Sequence, residues 1–233
     1  IEKRIKIKWE CESRANLPVE DIALMAEAGC VLVGLGIESG SKRILEFIKK
    51  GVDLLEMQRC YWDLIKYQIQ PLVYFMEGIP TETIEDFQAT QNLLHTLDQP
   101  PTLYWRVIPT PGTPLFQYCI DHNLISFPAK LADWPHYSYY YSTQGNLSEV
   151  PDEVINKSFS NYFSTYASRR VRFTWRHNRK YFLGLIKNPP EFFKAVSALI
   201  KNTLPVLFNK NTSEETRPIF VAANRSGEAL KKQ

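Results

Sequence analysis

Cysteines are few and widely spaced in this sequence. The four of them, Cys11, Cys30, Cys60 and Cys119, lack the close spacing of a zinc or iron–sulfur binding loop, so we predict no metal ligands in this chain. Their number is also too small for a disulfide scaffold, and we expect a reduced, cytoplasmic setting. The formal net charge is only +3, which gives no sign of nucleic-acid binding. No apolar run approaches the roughly 20 residues that a membrane-spanning helix needs.

Strand and helix patterns alternate over the first half of the chain. Such repetition is typical of parallel βα units, so we predict an α/β fold with a partial parallel (β/α) barrel. Strand patterns cover 5–11, 30–37, 71–76 and 103–108, and helical patterns cover 18–28, 41–50, 53–67 and 83–97.

The alternation ends at the PTPGTP segment, residues 109–114, because three prolines and a glycine continue neither element. Beyond it, helical patterns at 154–166, 169–185 and 192–200 predict a C-terminal helical extension. The chain starts at Ile1 inside a strand pattern, so we expect it to be the back part of something longer. The predicted domains are a partial barrel over 1–116, an aromatic loop or lid over 117–150, a helical extension over 151–207 and a polar tail over 208–233.

Residues with functional chemistry follow the predicted strands. Because the carboxyl ends of parallel strands meet at one edge of a sheet, we expect these segments to build one site. They are Ser13–Arg14, Glu38–Ser41, Glu77–Pro80 and 109–113.

The turn Glu38–Ser41 offers a carboxylate and two hydroxyls at a helix start. This set suits a ligand with ribose hydroxyls and an ammonium group, and the alternative is a plain helix cap by Ser39 or Ser41. Gly34 and Gly36 before it indicate a close approach at a crowded strand.

Two alternatives stay open at the later strands. Glu77 ends an apolar strand, and it is either paired with Arg14, Arg106 or a ligand, or solvated at the strand end. In the last strand, Tyr104 and Arg106 alternate with Leu103, Trp105 and Val107, and the pattern does not fix which set faces the barrel lumen.

Three segments together resemble the back half of a radical S-adenosylmethionine (SAM) domain. In order, they are GIESGSKRILEFIKKG, FMEGIPTETIEDF and IPTPGTPLFQYC. The closest resemblance is to the cobalamin-dependent branch that includes anaerobic magnesium-protoporphyrin cyclases. It extends over residues 1–119.

The resemblance implies a partial barrel of radical SAM type, with SAM, a 4Fe-4S cluster and cobalamin in the complete protein. The cluster would be ligated outside this chain and support 5′-deoxyadenosyl-radical chemistry on an unknown substrate. The resemblance places Glu38 and Ser39 at SAM, and Met76, Gly78, Ile79 and Pro80 near adenine. It also places Arg14 near SAM or substrate, and it names no catalytic residue.

This sequence departs from the family pattern in three ways. It has no C-x-x-x-C-x-x-C motif, Thr81 replaces a usual glycine, and Glu77 stands where an apolar residue is common. The leading hypothesis is the C-terminal portion of a radical SAM enzyme, completed by a missing N-terminal half. The alternative is a cluster-free remnant or split-gene piece that acts as a non-catalytic binding module. A methylthiotransferase-like RNA modifier is less favoured, because no RNA-binding β domain follows the barrel pattern.

The segment 169–182 is rich in arginines and aromatics. We expect a helix that packs its aromatics on the barrel and projects its arginines outward. Peripheral contact with an anionic membrane is the second interpretation. Nucleic-acid binding is not predicted, because the overall charge is low.

Overall fold

The fold centres on a four-stranded parallel sheet, seen in a computed structural model that describes residues 7–98, 100, 102–127, 130, 146–177 and 190. The strand order is β1-β2-β3-β4, with all pairs parallel. This arrangement confirms the predicted α/β fold. The strands are β1 (Trp9–Arg14), β2 (Cys30–Glu38), β3 (Gln70–Glu77) and β4 (Thr102–Arg106), and the helices are α1 (Val19–Glu27), α2 (Lys42–Phe47), α3 (Leu54–Lys66), α4 (Ile84–Thr96), α5 (Pro114–Asp121) and α6 (Asp152–His177).

One face of the sheet carries the main core. Alternate residues of β2 and β3, such as Leu35 and Phe75, are fully buried with residues of α1 and α3. Tyr61 of α3 is also fully buried, and its hydroxyl donates to the carbonyl of Leu97, 2.8 Å away. Burial against the helices explains why these alternate positions are apolar.

The other face of the sheet is less covered. In β1, residues alternate between partly buried and exposed, and Glu10, Glu12 and Arg14 are the exposed ones. Across the sheet, Gly34 pairs in register with Glu12 on one side. We call this less covered face of the sheet the open face. Its polar residues lie toward the carboxyl ends of the strands.

Helix α5 begins inside the segment that the sequence analysis read only as a break. Thr113 caps it by accepting from the amide of Phe116 at 3.2 Å, and Pro114 occupies the first turn. Proline suits that position because the first-turn amides have no helical partner. The helix crosses position 116, where we had placed the end of the barrel.

Helix α6 runs unbroken over Asp152–His177, where the sequence suggested two segments. It buries Phe173 against the sheet, as predicted for the segment 169–182, and it also buries Tyr162, whereas Trp175 is exposed. Arg169 is also buried, which corrects the expectation that all the arginines point outward. None of the described helices is long and apolar enough to cross a membrane. Half of the predicted lid over 117–150, the helix at 192–200 and the tail at 208–233 lie outside the described residues.

Candidate functional site

The turn after β2 directs Glu38 back over its own strand. Glu38 has φ 71°, and the amide of Ser39 donates to the carbonyl of Ile37 at 3.0 Å, as in a γ-turn with positive φ. The Glu38 carboxylate accepts from Lys50 Nζ at 3.0 Å. A Cβ atom on Gly36 would lie 2.6 Å from Glu38 Oε1, so glycine at this position makes room for the ion pair.

A second polar pair lies beside it on the open face. The hydroxyl of Tyr74 donates to Glu12 Oε1 at 3.0 Å. A Cβ atom on Gly34 would lie 2.6 Å from that hydroxyl, so both glycines of β2 allow the close approach that the sequence indicated. Burial, followed by the bond to Glu12, raises the pKa of Tyr74 to about 12. Tyr74 is therefore a neutral hydrogen-bond donor at physiological pH.

Arg14, at the end of β1, is bonded to the first of these two pairs. Its guanidinium donates to the backbone carbonyl of Lys50, the residue that pairs with Glu38. The structure thus brings together two residues that we had singled out and three that we had not. We call this set the open-face cluster: Glu12, Arg14, Glu38, Lys50 and Tyr74.

Ser39 and Ser41 have different roles in the same turn. Ser41 is the cap of α2, since its hydroxyl accepts from the amide of Ile44 at 3.3 Å. Ser39 is fully buried, and its hydroxyl lies 3.2 Å from Thr90 Oγ1 of α4 and accepts from the amide of Ser41 at 3.1 Å. Ser39 therefore fixes the turn against α4 from inside the protein.

The turn after β3 carries Thr81 at a position where glycine is usual in the family that the motifs resemble. Gly78 and Thr81 both have positive φ, 76° and 70°. The amide of Gly78 donates to Glu82 Oε2 at 2.9 Å, and Glu82 is buried. Burial raises the pKa of Glu82 to about 7, against the hydrogen bond from Gly78. The strained Thr81 backbone is thus held by the surrounding turn.

The other residues predicted near adenine lie at this turn. Ile79 is fully buried beside Ile44 and Phe116, Pro80 is buried, and Met76 is partly buried against the same apolar cluster. The side chains of Ile79 and Pro80 thus belong to the core.

Asp86 joins the two turns. Its carboxylate accepts from Ser41 at the start of α2, from the guanidinium of Arg43, and from the hydroxyl of Thr83 at 3.0 Å. Arg43 also donates to the carbonyl of Thr81. Partial burial opposes ionisation, but the bonds from Arg43 and Ser41 hold the pKa of Asp86 well below its usual range. An ionised Asp86 therefore locks the turns after β2 and β3 together.

Glu77 is separate from the open face. It is 1% exposed and lies beneath α6, where its Oε1 accepts from the hydroxyl of Ser158 at 3.1 Å. Within the described part of the chain, its Oε2 has no hydrogen-bond partner. Burial raises the pKa of Glu77 to about 8, although the bond from Ser158 and the charge of Arg106 act in the opposite direction. Of the partners we had considered, Arg106 is the one whose charge reaches Glu77, and it donates to Asn156 at 2.6 Å.

The described part of the chain holds no group of three or more histidines, cysteines or carboxylates placed to bind a metal ion. Cys11 and Cys30 lie on neighbouring strands, whereas Cys60 and Cys119 are buried in α3 and α5.

Sequence comparisons match part of this chain to a known superfamily. Residues 1–94 match the radical SAM superfamily. An uncharacterized methyltransferase of Pyrococcus horikoshii is 38% identical over 122 residues, which are 52% of this chain and 27% of that protein. A bacteriochlorophyllide d C-12(1)-methyltransferase of Chlorobaculum tepidum is 27% identical over 143 residues, 59% of this chain and 30% of that protein. The chain thus spans less than a third of these relatives.

A solved structure shares the fold. The cobalamin-dependent S-adenosylmethionine radical enzyme OxsB, with aqua-cobalamin bound, superposes with a TM-score of 0.52 and 16% identity, over 98% of this chain and 39% of that one. These findings confirm the resemblance that the three motifs predict. Residues 1–94 carry the sequence pattern of the radical SAM superfamily, whose chemistry uses SAM and a 4Fe-4S cluster, and the chain has the fold of a radical SAM enzyme.

Proposed function

We propose that this chain forms one wall of the SAM site and part of the substrate pocket of a radical SAM enzyme, with the 4Fe-4S cluster ligated outside this chain. The observation that carries the proposal is the open-face cluster at the carboxyl ends of β1–β3. In open parallel α/β sheets, ligands bind outside this edge. The two turns that the resemblance marks for SAM follow the neighbouring strands β2 and β3 and are joined to each other through Asp86, which supports the proposal.

The chemistry of the cluster fits SAM. SAM carries an ammonium group, a carboxylate and ribose hydroxyls. Glu38 can accept from the ammonium or the hydroxyls, and Lys50 and Arg14 supply cations for the carboxylate. The Glu38 side chain is 21% exposed, so it is accessible but partly shielded from water. Such shielding strengthens each charge-assisted hydrogen bond to a ligand.

The remaining predicted residues would shape the site and would not bind the charged groups of SAM. Ser39 holds the Glu38 turn against α4. Gly78, Ile79 and Pro80 would present backbone at the neighbouring turn, where adenine would pack, and Met76 would add an apolar contact. When bound, SAM and the cluster supply the radical chemistry, and the residues of this chain bind and orient.

We propose methyl transfer as the reaction class, with cobalamin as a further cofactor of the complete protein. Two relatives carry the name methyltransferase, and the fold neighbour is a cobalamin-dependent enzyme. In the complete protein, the part that corresponds to the rest of those relatives would bind the cluster and the cobalamin. Analysis of the complete protein with methyl-labelled SAM tests this class: label transferred to substrate supports it, and turnover that leaves no label in the product contradicts it.

Hydrogen exchange of the complete protein tests the SAM wall directly. SAM should slow amide exchange in two separate stretches, 36–41 and 76–82, because both would contact the ligand. The control stretch is α1, which lies on the covered face of the sheet. Equal exchange with and without saturating SAM in both stretches would contradict the proposed wall.

A further inference from the structure

A polar cavity lies between α6 and the end of α4. It has a volume of ≈ 210 Å³ and is lined by His95, Asp98, Arg169, Arg172, Phe173 and Arg176. Three arginines thus face one space, at helical spacings of three and four residues along α6. A volume of this size far exceeds the roughly 10–15 Å³ that one water needs. The cavity can hold a small hydrated ligand.

Arg169 is the unusual member of this set. It is 9% exposed, its guanidinium lies 3.3 Å from the centroid of the Tyr162 ring, and it donates to the Tyr162 carbonyl at 2.8 Å. Among the described residues, no carboxylate forms an ion pair with it. Buried cations are normally paired, since an unpaired one is costly. Burial lowers the pKa of Arg169, which shows the same cost.

The charges around the cavity leave an excess of cations. Asp98 is the carboxylate among the lining residues, and its two oxygens already accept from Arg176 and, at 3.0 Å, from His177. Among the described residues, Arg169 and Arg172 then remain as two guanidinium charges without a carboxylate partner. A phosphate group carries about −1.5 to −2 charges at neutral pH, which matches that excess.

We propose that this cavity binds a phosphate group, carried either by a free phosphorylated compound or by a phospholipid headgroup. The planar fork of a guanidinium suits two oxygens of a phosphate, and the buried Arg169 is already held in place by Tyr162. A fixed guanidinium loses little conformational entropy on binding. Arg172 and Arg176 line the same cavity and are exposed to solvent.

The phosphate site is separate from the proposed SAM wall. Helix α4 starts at the turn after β3 and ends beside the start of β4, so Asp98 lies at the amino ends of the strands. The open-face cluster lies at their carboxyl ends. An experiment that contradicts one of the two proposals therefore does not contradict the other.

Titration of inorganic phosphate into the full chain, at constant ionic strength, tests the site. We expect saturable binding that is at least about tenfold weaker in Arg172→Gln. Arg170→Gln is the matched control, because Arg170 is exposed on the same helix but does not line the cavity. Asp98→Asn should tighten binding, since it removes the carboxylate that competes with phosphate. Equal weakening in Arg170→Gln and Arg172→Gln, or no saturable binding, would overturn the proposal.

Vesicle flotation identifies the source of the phosphate group. The probes are phosphatidylcholine vesicles with and without phosphatidic acid. Flotation that needs phosphatidic acid and is lost in Arg172→Gln, but not in Arg170→Gln, supports the site and assigns it to a lipid headgroup. Phosphate binding without flotation supports the site and assigns it to a free phosphorylated compound. Flotation lost equally in both variants would indicate a diffuse basic surface and contradict the proposal.

Discussion

Replacing Glu77 by glutamine should change how the stability of the fold depends on pH. The pKa of Glu77 in the folded chain, about 8, lies above the ordinary value of 4.5. Between these two values the folded state holds a proton that the unfolded state has lost. The contribution of Glu77 to the free energy of unfolding should therefore be fully present below about pH 4.5 and be lost as the pH rises to 8. Glutamine cannot ionise, so the variant should lose this part of the slope.

The size of the effect follows from the two pKa values. They differ by 3.5 (8 − 4.5 = 3.5), and each pKa unit corresponds to about 1.4 kcal/mol. The wild type should thus lose up to about 4 kcal/mol between pH 5 and pH 8 through this residue. Glu82, whose pKa is also raised, to about 7, keeps a smaller slope of the same sign in the variant.

Urea unfolding at several pH values, followed by circular dichroism, measures the slope. The control is Glu10→Gln, which replaces an exposed carboxyl of β1 and should leave the slope unchanged. Near pH 5, Glu77→Gln should be no more stable than the wild type, since the side chain at position 77 is neutral in both proteins. Parallel stability curves for the wild type and Glu77→Gln from pH 5 to pH 8 would refute the argument that burial keeps Glu77 protonated.

Three further predictions concern the turns and the cysteines. Thr81→Gly should stabilise the fold by up to about 1 kcal/mol in urea unfolding, because a left-handed backbone costs a non-glycine residue roughly 1–2 kcal/mol and the entropy of glycine offsets part of this; a lower stability would contradict the strain. Ser41→Ala should lower the stability by about 1–2 kcal/mol through loss of the α2 cap and the bond to Asp86, and an unchanged melting temperature would argue against both. The full chain, reconstituted anaerobically with iron and sulfide, should hold no stoichiometric 4Fe-4S cluster, because its cysteines lie on four different elements; near-stoichiometric iron and sulfide would show that the ligands do converge.

The alternation of elements could be predicted from sequence because it is a local signal, and a local signal also indicates where the candidate site lies. Period-two and continuous apolar runs mark β1 and β2, and polar residues just beyond the strands mark the carboxyl edge. The start of α5 had a usable signal as well, since Thr113 followed by Pro114 is a cap with proline in the first turn. Reading the prolines only as a break missed it.

Other features depend on tertiary contacts that a pattern does not carry. Lys50 reaches Glu38 only because the γ-turn reverses the carboxylate over Gly36. The register of β2 against β3 shifts between Gly36 and Glu38, so strand alternation could not assign the side chain of Glu38 to a face. Arg169 is buried because its guanidinium stacks on Tyr162, seven residues away on the same helix.

Calorimetric titration of SAM into the complete protein that contains this chain tests the central claim most directly. Glu38→Gln should weaken SAM binding by roughly one to two decades, because one charge-assisted hydrogen bond contributes about 1.5–3 kcal/mol. Ser39→Ala should weaken it less and lower the melting temperature, since Ser39 is buried against α4. Glu20→Gln, at an exposed site on α1, is the control and should bind SAM as the wild type does. An unchanged dissociation constant for Glu38→Gln would remove Glu38 from the SAM site and contradict the proposed wall.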